Sequence, residues 1–153
     1  MPPHCALVAG ATGVAGGNLV AHLEGRGDWR VIGVSRRMPQ GAGESRSISV
    51  DLLDRHDTAA KLGRLAEVTH IFFAALQSAP SLAEEVAPNL GMLRHVVETI
   101  EAVATRLERV VLLQDASGID TDRLKFFTQN LQVSGTPIAN WKLRIASATS
   151  AVP

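Results

Sequence analysis

The chain has no tyrosine and one cysteine among its 153 residues, and its 15 lysines and arginines equal its 15 aspartates and glutamates. Each shortage excludes something. Without tyrosine there is no phenol to serve as a general acid or base. A lone cysteine cannot close an internal disulfide, and Cys5 opens an apolar run where a small buried hydrophobe is at home. Balanced charge gives no overall field toward nucleic acid or an anionic membrane, while leaving room for a local phosphate site. No apolar run approaches the ~20 residues of a membrane span. Met1-Pro2-Pro3-His4 leads straight into a strand pattern rather than a signal-peptide core. The expected compartment is the cytoplasm, with neither nucleic acid nor membrane as partner.

What is present suits one core of moderate size: 46% of residues are hydrophobic and 20% charged. Between Cys5 and Gln114, short β-rich runs alternate with longer helical ones, the pattern of βαβ units around a parallel sheet. Cys5-Ala6-Leu7-Val8-Ala9 is continuously apolar and stops at a glycine, as a strand buried on both faces does. The spacing predicts a helix over 14–24, a strand over 29–35, a loop over 38–44, and a short strand over 47–50. A helix over 54–65 and a strand over 69–76 follow. A long helix is expected over 81–107, with Pro88 marking its true first turn, and a fifth strand over 109–114. The fold class expected is α/β, a Rossmann-type doubly wound sheet of five parallel strands in the order 3-2-1-4-5.

Residues 115–153 differ in character. They show no clear apolar strand run and end in a small-residue stretch, Ala146-Ser147-Ala148-Thr149-Ser150-Ala151. The expected organisation is a nucleotide-binding domain over 1–114 and a divergent tail over 115–153, with no further βαβ unit.

Gly10-Ala11-Thr12-Gly13-Val14-Ala15-Gly16 stands directly between a predicted strand and a predicted helix. Glycines at this place permit a tight turn, close approach of the main chain to a pyrophosphate, and tight seating of the helix. The helix N-terminus then presents free N–H groups to the phosphates. No lysine follows, so this is not the mononucleotide phosphate loop.

At the end of the second strand, where an NAD-binding chain carries an acidic residue for the ribose hydroxyls, Ser35 is followed by Arg36 and Arg37. Two guanidinium groups there suit a 2′-phosphate, favouring NADP(H) over NAD(H). Asp51-Leu52 is placed either to reach the adenine edge or to cap a turn. Ala74 and Ala75 offer small side chains beside the cofactor's path or simple strand packing, and Gln114 closes the last strand. The expected cofactor contacts are therefore Gly10, Thr12, Gly13, Val14, Ala15, Gly16, Ser35, Arg36, Arg37, Asp51, Leu52, Ala74, Ala75 and Gln114. No catalytic residue is assigned. His4, His22, His56, His70 and His95 are scattered, with no HExxH spacing and no cysteine pair, so no metal site is expected.

These motifs, with Val68-Thr69-His70-Ile71-Phe72-Phe73, Glu84-Glu85, Pro88-Asn89 and Met92-Leu93-Arg94, resemble the extended short-chain dehydrogenase/reductases of the NAD-dependent epimerase/dehydratase type. The resemblance is nearest to the atypical branch of progesterone beta-reductase and iridoid synthase-like enone reductases, and it covers residues 5–114. It implies NADPH-dependent hydride addition to an enone or carbonyl substrate. It also implies a catalytic tyrosine beyond the fifth strand, which this chain lacks; Asp115-Ala116-Ser117-Gly118 stands where the family pattern breaks off. Ser117 stays open between a mimic of the family serine and a turn residue. Three readings of the chain stand open: a reductase domain with impaired catalysis, a noncatalytic dinucleotide-binding or sensing module whose tail docks on a partner or pairs two chains, and a truncated or frameshifted product.

Overall fold

A computed structural model of the chain describes residues 3–37, 46–114 and 144–147. The expected loop over 38–44 and most of the tail, including Ser117, lie outside the described residues. In chain order the elements are β1 (His4–Ala9), α1 (Val14–Glu24), β2 (Trp29–Ser35), β3 (Arg46–Ser49), α2 (Arg55–Leu62), β4 (His70–Phe73), α3 (Leu82–Glu101), β5 (Arg109–Gln114) and β6 (Arg144–Ser147).

All strands pair in parallel, in the order β3-β2-β1-β4-β5-β6. The five-stranded order 3-2-1-4-5 is the one expected. The sixth strand is not, and it extends the sheet past β5 where no further strand was anticipated. Its sequence, Arg-Ile-Ala-Ser, has no apolar run to announce it. Backbone pairing to the open edge of β5 needs no such run.

β1 is apolar without alternation because both sheet faces are covered. Cys5, Leu7 and Ala9 join the larger core with Leu62, Val96 and Ile100. Ala6 and Val8 pack with Leu23 and Val31 on the opposite face, beneath α1. The sheet is thus held between α1 on one side and α2 with α3 on the other.

Local chemistry sets the helix ends. Asp54 caps α2, its carboxylate accepting from the N–H of His56 and Asp57 at 2.8 and 3.2 Å. Ser81 caps α3: its hydroxyl accepts from Glu84 N at 3.3 Å and donates to the Glu84 carboxylate at 2.9 Å. This cap starts α3 at Leu82, so Pro88 lies inside the helix rather than in its first turn. Among the described residues, no helix is long and apolar enough to cross a membrane.

Candidate functional site

The carboxyl ends of β1, β2 and β4 converge where the strand order reverses, the usual position of a ligand crevice in an open α/β sheet. Main-chain contacts shape the start of the turn leaving β1. Gly10 has a φ of +82°, and its N–H and that of Ala11 both donate to Val34 O, at 2.8 and 3.1 Å. A Cβ on Gly10 would lie 2.6 Å from Ala75 N and 2.7 Å from the Ala74 carbonyl. Only glycine fits here. Gly10, Ala74 and Ala75, separate in sequence, therefore meet at the floor of the crevice. A Cβ on Gly16 would collide with Gly10 O, so the helix can lie this close only without a side chain. Gly13 differs: the nearest atom to its Cβ position, Gly10 O, is 3.4 Å away, and the residue is exposed.

Gly13 is also the N-cap of α1, with no side-chain cap bond and no acidic residue in the first turn. The N–H groups of Val14, Ala15 and Gly16 have no acceptor within the helix, and no acidic side chain of its first turn offsets the positive end of its dipole. This arrangement fits a phosphate group. Val14 is 86% exposed and Leu76 58% exposed, which leaves two apolar side chains in solvent.

At the end of β2, the hydroxyls of Thr12 and Ser35 are hydrogen-bonded at 2.7 Å, tying the glycine turn to this strand. Arg36 and Arg37 are both exposed. Ser49 Oγ donates to Arg36 O at 2.6 Å, and Arg36 Nη2 reaches Gln77 Oε1 at 3.5 Å. The carboxylate of Asp51 accepts from Leu53 N at 3.0 Å, a turn-capping bond. Leu52 is buried in the core, and its carbonyl accepts from His95 Nδ1 at 2.8 Å. Its side chain offers nothing to a ligand. Gln114 ends β5 beside Ser147 of β6.

A polar clamp that the sequence did not disclose holds the segment after β4. Asn89, 2% exposed, accepts from Gln77 N at 2.8 Å and donates to Gln77 O at 2.8 Å and Glu85 O at 2.7 Å. Glu85 Oε1 accepts from Ala79 N at 3.3 Å. The only sequence signal is two polar residues four apart on an otherwise apolar helix face. Their partners lie across a loop, where helix periodicity carries no information.

Cys5 is no nucleophile in the folded state: burial, reinforced by the Glu67 carboxylate, pushes its thiol up to about 11. The scattered histidines are not all apart in space. His4 and His70 come together with ring centroids 5.5 Å apart, close to Glu108. Strand pairing brings together what 65 intervening residues separate.

A sequence profile of the NAD dependent epimerase/dehydratase family matches residues 6–114. The 3-oxo-Delta(4,5)-steroid 5-beta-reductase of Arabidopsis thaliana is 35% identical over 115 residues, covering 70% of this chain and 29% of that protein. The (S)-8-oxocitronellyl enol synthase of Nepeta cataria is 34% identical over 114 residues, again 70% of this chain and 29% of that protein. The chain thus spans less than a third of the length of these curated relatives. Among solved structures, a putative epimerase from Burkholderia cenocepacia superposes with a TM-score of 0.60 at 22% identity, covering 75% of this chain and 38% of that one. Gre2 from Candida albicans, solved in complex with NADPH, gives a TM-score of 0.58 at 18% identity, covering 74% and 37%. The shared fold is a dinucleotide-binding one.

Proposed function

The chain belongs to the NAD dependent epimerase/dehydratase family, and from that membership we propose that it is the NADP(H)-holding part of a reductase acting on an enone or carbonyl substrate. The observation that carries the cofactor preference is the pair Arg36 and Arg37 at the carboxyl end of β2, with no acidic residue beside them. Two guanidinium groups at that place offer bidentate, charge-assisted bonds to a 2′-phosphate and no acceptor for a free ribose 2′-hydroxyl. Thr12 and Ser35, already joined, hold the glycine turn in register with those arginines. When bound, NADPH supplies the hydride. Residues 10–16 receive the pyrophosphate, and the Gln77–Asn89 clamp keeps the segment after β4 from shifting.

The substrate class comes from the relatives, whose names describe a steroid 5-beta-reductase and an oxocitronellyl enol synthase. One observation favours a second, noncatalytic reading. The chain contains no tyrosine, so it supplies no phenolic acid for the oxygen on which charge develops. Binding and orientation are then its own contribution, and turnover is impaired.

Isothermal titration of the full chain with NADPH and NADH tests the preference. NADPH binds tighter, and Arg36→Ala and Arg37→Ala each weaken it by roughly tenfold to a hundredfold, the range for a lost bond to a charged group, without changing NADH. Equal affinity for the two cofactors, or NADPH binding indifferent to both substitutions, overturns the assignment.

A further inference from the structure

At the opposite edge of the sheet from the crevice, the amino ends of β1, β4 and β5 bring together three groups that the dinucleotide reading does not use. His4 begins β1, His70 begins β4, and Glu108 immediately precedes β5. One ligand atom from each lies within 4.8 Å of the others. We propose that His4, His70 and Glu108 form a binding site for a zinc-type divalent cation that ties these three strand ends together.

Hydrogen bonding fixes which atom of His70 is free. Thr69 Oγ1 donates its single proton to Cys5 O at 3.1 Å, a carbonyl that can only accept. The same hydroxyl lies 2.9 Å from His70 Nδ1, so this nitrogen is engaged by Thr69. Nε2, the nitrogen that Thr69 leaves free, faces Glu108 Oε2 at 3.9 Å.

His4 adds an independent sign. Its Nδ1 is buried with no hydrogen-bond partner among the described residues, a state that costs free energy unless something fills it. Trp29 packs against both rings, at 4.8 Å from His4 and 4.8 Å from His70, which holds them in place.

The donor set selects the metal class. Two imidazole nitrogens and one carboxylate suit zinc and its neighbours rather than magnesium or calcium, which take oxygen ligands. Bonds of about 2.0–2.1 Å in a tetrahedron set ligand atoms roughly 3.3 Å apart. Glu108 is the exposed member, with its side chain 51% accessible, so rotation about its own bonds can close the gap from 3.9 Å. The Thr69 hydroxyl already occupies the outer position that orients a metal-bound histidine. Three protein ligands leave a fourth position for water.

The test uses the tag-free full chain, zinc by isothermal titration, and cobalt as a spectroscopic substitute. One zinc binds per chain, cobalt gives the visible bands of a four-coordinate site, and cobalt quenches the fluorescence of Trp29. Glu108→Gln and His4→Gln, both at the amino ends of strands, each weaken zinc binding by roughly tenfold or more while the far-ultraviolet circular dichroism stays that of the folded chain. His70→Gln abolishes binding, and its circular dichroism is read alongside to separate ligand loss from unfolding. A folded wild-type chain that binds no zinc overturns the proposal. So does zinc binding that survives both Glu108→Gln and His4→Gln unchanged.

Discussion

Gly10, Gly13 and Gly16 look equivalent in the sequence, but the space around each separates their roles. Gly10 combines a φ of +82° with main-chain atoms 2.6 and 2.7 Å from where a Cβ would stand. Gly10→Ala thus meets both backbone strain and a collision with the Ala74–Ala75 peptide, neither of which a flexible side chain can relieve. The expected cost is about 2–4 kcal/mol, read as a lowered urea midpoint. Gly16→Ala meets Gly10 O and belongs in the same class. Gly13 has a φ of −75° and space for a methyl group, so Gly13→Ala costs under about 1 kcal/mol. Its methyl would instead stand on the exposed surface where the main chain is to approach the pyrophosphate. Gly13→Ala therefore keeps its urea midpoint and loses NADPH affinity. A Gly10→Ala chain as stable as wild type would show that the crevice floor yields, and the distinction would fail.

Among the elements, α3 carries a proline in its interior. Pro88 has no N–H, so Glu84 O loses the donor that any other residue at this position would provide. Pro88→Ala restores that bond and removes the ring's clash, raising stability by about 1–3 kcal/mol on the helix-propensity scale. Thermal unfolding of the variant reads this directly; an unchanged or lower midpoint would mean that the proline ring fills space that alanine cannot. The same helix shows what a sequence can and cannot disclose. Its apolar spacing was plain, but a proline is at home in a first turn, and that preference alone placed the first turn six residues late. The Ser81–Glu84 cap sets the true start. α1 ends at glycines and β2 is a β-rich run between turn residues, signals that lie within or beside the element, and their bounds were legible to the residue. β6 has only the edge of β5 to define it. The site divides along the same line. The glycine turn and the arginine pair announce themselves in consecutive residues, whereas the Thr12–Ser35 bond, the Gln77–Asn89 clamp and the His4–His70 pair exist only once distant strands and loops are brought together.

The whole molecule separates binding from chemistry. The dinucleotide crevice is at the carboxyl edge of one parallel sheet, formed by residues from β1, β2, β4 and their following turns. A ligand held there spans several elements and is bound by the folded state alone, so it must raise the unfolding free energy by mass action. At a concentration a hundred times its dissociation constant, NADPH contributes about 2.7 kcal/mol. For a chain of this size that raises the melting temperature by about 5–10 °C, and NADH at the same concentration raises it less. Hydride transfer makes a further demand, a proton donor aimed at the oxygen that gains charge, and losing such a group costs roughly a hundredfold to a thousandfold in kcat. With no tyrosine anywhere in the chain, NADPH oxidation against a panel of enones should be slight even at concentrations that fully stabilise the fold. A thermal shift without turnover is the expected result. Turnover at a rate typical of enzymes, about 1–1000 per second, would require another side chain to donate that proton and would overturn the reading of this chain as a binding module with impaired chemistry.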